Sequence, residues 1–212
     1  MCTIKNIDEC DILTEEVAIL KCYDMEKENK DMNITVYCGS RFGEKSVFKD
    51  KAIELGNWIV EGGHSLVYGG GNVGLMGTVA NTVLEGGAKV YGIIPEFLLD
   101  QEKGHEGLYT LEIVSSMPER KTRMINLGDA FIALPGGPGT LEEISEIISL
   151  RRLNRTEKPC ILYNIEGFYE PLRKLLEEMV AADFLPAEDL DKVVFASNLD
   201  EIKAALGEEN SI

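Results

Sequence analysis

From Asn33 onward, short apolar runs of strand length alternate with longer segments whose apolar residues recur every three or four positions. Ile34 to Cys38 is the first run and ends in Gly39-Ser40. Phe48, Ala52, Leu55 and Ile59 then lay one apolar face along a helix that Gly62-Gly63 stops. Ser65 to Tyr68 predicts a second strand. It leads into Gly69-Gly70-Gly71-Asn72-Val73-Gly74-Leu75-Met76-Gly77, then a helix over Thr78 to Leu84 that stops at Gly86-Gly87. Ala88 to Ile94 predicts a third strand, closed by Pro95. The polar segment Glu96 to Thr110, with Gly104 and Gly107, predicts an exposed loop or lid over a site. Leu111 to Val114, Asp129 to Leu134, Pro159 to Tyr163 and Val193 to Phe195 predict further strands. Glu119 to Leu127, the stretch bearing Leu141, Ile144 and Ile148, and Phe168 to Val180 predict helices.

Strands separated throughout by helices imply βαβ units and a parallel sheet covered on both faces. The expected fold is α/β: a single doubly wound, Rossmann-like domain with a mostly parallel sheet flanked by helices. Ligands in such sheets bind at the carboxyl ends of the strands, near a switch in strand order. Ser40, the Gly69 to Gly77 loop, Arg120 and the Pro135 to Thr140 loop should lie at those ends. Residues 1–32 are acidic and polar, with a weak helical pattern around Ile12 to Leu20. They read as an N-terminal extension to a domain of residues 33–212.

Composition narrows the function classes. At 212 residues the chain suits one well-buried domain, and 44% hydrophobic with 27% charged residues argues against disorder. The net charge of -16 disfavours nucleic acid and anionic membranes as partners, so an anionic small ligand would need a local positive pocket. Cys2, Cys10, Cys22, Cys38 and Cys160 form no C-x-x-C pair, and His64 and His105 complete no zinc spacing, so no metal site is expected. The odd cysteine count and the absence of a long apolar run or leader point to a cytoplasmic protein.

The chemistry concentrates at Leu134-Pro135-Gly136-Gly137-Pro138-Gly139-Thr140-Leu141-Glu142-Glu143, a strand-to-helix turn. Such a turn aims free N–H groups and the positive end of the helix dipole at one point, a ready phosphate site. Thr140 can cap the helix or bond a phosphate oxygen, and Thr140 with Glu143 also fits a capping box. Gly69 to Gly74 satisfies G-x-G-x-x-G, and Glu96 follows Gly74 at close to the offset of a ribose-binding acid. Yet Glu96 lies beyond the strand, and the loop is outside the first βαβ unit. The alternative is that these glycines let the backbone approach a mononucleotide or another loop closely. Arg120-Lys121 with Arg123 is a basic cluster near a strand end: an anion or leaving-group site, or a solvated helix face. His64 and His105 read as structural or solvated. Neither a G-x-S-x-G elbow nor a P-loop is present.

Pro118-Glu119-Arg120-Lys121 followed by Pro135-Gly136-Gly137-Pro138-Gly139-Thr140-Leu141-Glu142-Glu143 resembles the LOG family of nucleoside 5'-monophosphate phosphoribohydrolases. These are cytokinin-activating enzymes often mislabelled lysine decarboxylases. Tyr37-Cys38-Gly39-Ser40, Tyr68-Gly69-Gly70-Gly71, Gly74-Leu75-Met76-Gly77 and Ile93-Ile94-Pro95 are similar to its other blocks, and the likeness runs from about Asn33 to Phe184. Two departures stand out: the family's M-H-x-R-K lacks its histidine here, in Met117-Pro118-Glu119-Arg120-Lys121, and the N-terminal extension has no counterpart in short members.

The resemblance implies hydrolysis of the N-glycosidic bond of a nucleoside 5'-monophosphate, AMP or a cytokinin riboside monophosphate, without metal or organic cofactor. It implies Arg120 and Glu143 as the catalytic pair. Gly136, Gly137, Gly139 and Thr140 would hold the phosphate, with Ser40, Gly70, Lys121 and Asn126 around the substrate. A homodimer or larger homo-oligomer is implied as well. The chemistry of the residues agrees: a carboxylate can stabilise the oxocarbenium-like sugar while a cation stabilises the departing base. Its place in the first helical turn is expected to favour the ionised form of Glu143. The competing readings are a non-catalytic nucleotide or cofactor carrier on the same fold and a pyridoxal-phosphate decarboxylase, for which no lysine site is recognisable.

Overall fold

The structure, a computed structural model, describes residues 31–208. The expected helix around Ile12 to Leu20, and all of the extension except Asp31 and Met32, lie outside the described residues. Seven strands alternate with helices: β1 (Asn33–Tyr37), α1 (Ser46–Glu61), β2 (Ser65–Tyr68), α2 (Gly74–Glu85), β3 (Val90–Pro95), β4 (Thr110–Val114), α3 (Met117–Leu127), β5 (Ala130–Ala133), α4 (Pro138–Arg152), β6 (Cys160–Tyr163), α5 (Glu170–Ala181), β7 (Val193–Ala196) and α6 (Leu199–Ala205). Short α-helical turns at Leu99–Glu102 and Ala187–Leu190 and 3-10 turns at Glu96–Leu98 and Ile165–Gly167 complete the helices among the described residues.

All seven strands are parallel, in the order β4-β3-β2-β1-β5-β6-β7. The chain builds outward from β1 to β4, then crosses back to set β5 on the other side of β1. Side chains alternate across the sheet. Ile34 and Val36 of β1 and Leu66 and Tyr68 of β2 face Leu55, Ile59, Val79 and Val83 of α1 and α2, with Ile202 of α6. Tyr37, Val67, Phe131 and Leu162 face Met124 of α3 and Ile144 and Ile147 of α4. Both faces are thus covered, and strands buried on both sides account for their nearly unbroken apolar sequences.

Three local readings change. α2 begins at Gly74, not Thr78, so four residues of the glycine-rich run, Gly74 to Gly77, are helical. The Glu96 to Thr110 segment is no free lid. It carries a short helical turn, and the Asn72 and His105 amides donate to the carbonyls of Glu102 and Gly70, docking it on the glycine loop. α6 went unpredicted although Asn198 caps it, its Oδ1 accepting from the Glu201 amide at 2.9 Å. Among the described residues no helix is long and apolar enough to cross a membrane.

Candidate active site

The reversal of strand order opens a crevice between the carboxyl ends of β1 and β5. Their following loops touch: the Gly39 amide donates to the Pro135 carbonyl at 3.1 Å. A Cβ on Gly39 would stand 3.3 Å from the Gly136 α-carbon. A cavity of about 410 Å³ opens here, lined by Ser40, Arg41, Gly136, Gly137 and Pro138 and by the rings of Phe42, Phe48 and Phe168.

α4 starts at Pro138 with Gly137 as its N-cap, and no side chain caps it. Proline's fixed φ suits that first position. Thr140 is therefore the third helical residue and not the cap, which overturns the capping-box alternative. Thr140 is 5% exposed, and its hydroxyl sits in the space that a Cβ on Gly136 would need. That hydroxyl makes no hydrogen bond with the described residues. A Cβ on Gly137 or Gly139 would meet nothing within 4 Å, so the space beside these two α-carbons is open.

Arg120 reaches the crevice from the first turn of α3. That turn is fixed by Ser116, whose hydroxyl accepts from the Glu119 amide, while the Glu119 carboxylate accepts from the Ser115 amide at 2.9 Å and its hydroxyl at 2.7 Å. These bonds hold the Glu119 carboxyl below the usual carboxylate range. Buried Arg120 donates from Nε to the Ile93 carbonyl at 3.1 Å and from Nη2 to the Gly69 carbonyl at 2.9 Å. The guanidinium is thereby anchored at the tips of β3 and β2. Nη1 lies 3.9 Å from Glu143 Oε1, and Nη2 lies 3.6 Å from Glu102 Oε2.

Glu143 is 8% exposed, and burial pushes its carboxyl up to about 7 against the opposing pull of Arg120. The expectation of a readily ionised group is corrected. Glu143 sits in the second turn of α4, where the helix dipole has faded and desolvation dominates. Glu102, which the sequence reading did not single out, is raised by burial and lowered by Arg120. The docked loop brings it in; the available signal was its place in a polar segment just before Gly104.

The remaining candidates separate. Ser40 lines the cavity with Gly136 and Gly137. Lys121 leans across to α4, pairing with Glu142 at 2.8 Å and Glu146 at 3.1 Å. Gly70 (φ +78°) packs toward Ile94 and Leu111 and gives its carbonyl to His105, so it seats the loop instead of lining the cavity. Asn126 is exposed near the far end of α3. Six residues past Arg120, it lies about 9 Å further along the axis, toward the amino ends of the strands and away from the crevice. His64 bonds the Met32 amide and Glu208, and His105 bonds Asn81, so both are structural.

Residues 76–206 match the family model described as "Possible lysine decarboxylase". The chain is 44% identical over 172 residues to cytokinin riboside 5'-monophosphate phosphoribohydrolase LOG of Oryza sativa subsp. japonica, covering 81% of this chain and 71% of the relative. It is 42% identical over 178 residues to cytokinin riboside 5'-monophosphate phosphoribohydrolase LOG1 of Arabidopsis thaliana, covering 84% of each. In fold it is similar to the Moco carrier protein of Chlamydomonas reinhardtii, with a TM-score of 0.64 at 19% identity over 84% of this chain and 97% of that one. With this identity across most of its length, the chain belongs to the LOG family, whose family model carries the lysine decarboxylase description.

Proposed function

We propose that the protein hydrolyses the N-glycosidic bond of a nucleoside 5'-monophosphate, AMP or a cytokinin riboside monophosphate, to free base and ribose 5-phosphate. The observation that carries this reading is the approach of the Arg120 guanidinium to the Glu143 carboxyl, 3.9 Å apart, on the helix whose amino end forms the glycine turn. The names of relatives above 40% identity support the same reaction.

Hydrolysis breaks the C1'–N bond, forms a C1'–O bond to water and leaves a proton on the base. Positive charge builds on the sugar as the bond breaks. Glu143, ionised, stabilises that charge and accepts a proton from the attacking water. A carboxyl lifted to about 7 suits such a transfer near neutral pH. The Arg120 guanidinium, held by two backbone carbonyls, stabilises negative charge on the leaving base without moving. Gly136, Gly137, Gly139, Thr140 and Ser40 hold the phosphate, which positions the sugar against Glu143 and so contributes to the rate. Glu102 shares the Arg120 guanidinium and helps fix its plane.

The reading places the machinery within residues 33–212, with residues 1–32 as an extension. It carries with it a cytoplasmic homodimer or larger homo-oligomer. The free thiols of Cys38 and Cys160 support a reducing compartment, and size-exclusion chromatography with light scattering measures the assembly.

The test is incubation of the purified protein with AMP and, separately, isopentenyladenosine monophosphate, with free base and ribose 5-phosphate followed by chromatography. Release of both products from either nucleotide, abolished by Glu143→Ala, is the expected result. Tight nucleotide binding without release would replace the hydrolase by a carrier.

A further inference from the structure

The cavity beside the glycine turn has one charged residue in its wall, Arg41. Among the described residues Arg41 has no ion-pair or hydrogen-bond partner. The other basic residues nearby are engaged: Lys45 pairs with Glu166 at 2.6 Å, and Lys49 lies over the Phe42 ring. Lys121 is held by Glu142 and Glu146, and Arg120 by backbone carbonyls and two carboxylates.

The backbone carrying Arg41 is tightly placed. Gly74, at φ +57°, lies so close that a Cβ on it would overlap the Ser40–Arg41 peptide. The Gly39 carbonyl accepts from the Leu75 amide at 3.1 Å. The turn is thus clamped between the start of α2 and the Pro135–Gly136 backbone, with its arginine at the cavity beside the amino end of α4. A second feature of that cradle also asks for a ligand: the hydroxyl of Thr140, a residue 5% exposed, stands over Gly136 with no hydrogen-bond partner among the described residues.

A phosphate monoester carries about -1.5 to -2 charges near neutral pH. The helix amino end offers about half a positive charge, in a chain of net charge -16. An unpaired guanidinium on the same cavity supplies what the helix cannot, with donors whose geometry matches phosphate oxygens.

We propose that Arg41 is the counter-ion of the substrate's 5'-phosphate and a determinant of preference for nucleoside monophosphate over nucleoside. This rests on the phosphoribohydrolase reading and adds to it a recognition residue outside the Pro135 to Glu143 motif.

The experiment is calorimetric titration of ribose 5-phosphate into wild type, Arg41→Met and Arg41→Lys at low salt, beside kinetics with AMP and adenosine. Arg41 is exposed, so neither substitution threatens the core. Arg41→Met is expected to weaken ribose 5-phosphate binding about tenfold or more, with Arg41→Lys recovering part of the loss. KM for AMP rises by a similar factor while kcat falls less, and the discrimination between AMP and adenosine narrows accordingly. Ribose 5-phosphate bound equally by Arg41→Met and wild type would overturn the proposal. A wild type that binds ribose 5-phosphate but leaves AMP intact would end the hydrolase reading alone, because the Arg41 comparison is still made by binding.

Discussion

The two glycine-rich turns look alike in sequence, each leading from a strand into a helix, yet different things lie against their α-carbons. In the turn from Gly69 to Gly77 the protein itself fills the space where side chains would stand. A Cβ on Gly69 would overlap the Arg120 guanidinium, one on Gly71 would lie 2.9 Å from Glu102 Cβ, and one on Gly74 would overlap the Ser40–Arg41 backbone. In the turn from Pro135 to Thr140, Gly137 and Gly139 face open space. Gly137, at φ -93°, has a conformation open to any residue. The first turn therefore uses glycine to assemble the site from other parts of the chain, whereas in the second only Gly136 is closely covered, by Thr140, and Gly137 and Gly139 leave open space at the amino end of α4. A G-x-G-x-x-G match distinguishes neither use.

Substitutions should separate these roles. The largest stability effect is expected from Gly74→Ala, where a positive φ and a backbone overlap combine. It should lower stability by about 3–4 kcal/mol, read by urea or thermal unfolding. A loss under about 1 kcal/mol would mean that the Ser40–Arg41 turn yields easily and is not clamped.

Glu143, where the helix from the second turn meets the arginine held by the first, comes next. Its carboxyl is raised in the folded state, so the native protein binds that proton more tightly than the unfolded chain. The stability it provides is present at low pH and is lost as pH rises from 4.5, the ordinary value, through about 7. The linkage amounts to about 3 kcal/mol. Glu143→Gln should be inactive, and its stability relative to wild type should grow over that pH interval and then level off. A pH-independent difference would show that the carboxyl is not raised.

Gly139→Ala has the smallest effect and the most diagnostic sign. Within a helix, alanine should raise stability by about 0.5–1 kcal/mol. The same methyl, filling open space beside the glycine turn, should weaken ribose 5-phosphate binding. Unchanged affinity would place the phosphate elsewhere and dissolve the contrast between the turns.

Most of the sheet was legible because strands buried on both faces are written as short apolar runs between turn residues. α6 also carries a sequence signal, the capping pair Asn198 and Glu201. The site was legible in part. Arg120 and Glu143 belong to recognisable motifs, whereas Glu102 enters from a polar loop whose docking depends on backbone hydrogen bonds that leave no mark in side-chain pattern. Asn126 shares α3 with Arg120 but stands about 9 Å further along the axis, a separation that the sequence motif does not display. The raised carboxyl of Glu143 is illegible for a related reason: proximity to a helix start is visible in sequence, but the depth of burial that outweighs it exists only in the folded chain.

The central claim is most directly tested by ribose 5-phosphate release from AMP, measured for wild type and Glu143→Gln from pH about 5 to about 9. The account predicts that wild-type kcat/KM rises with pH to a plateau above about 7, and that Glu143→Gln is slower by about a thousandfold or more. Equal rates in the two proteins, or AMP bound and left intact by wild type, would contradict it.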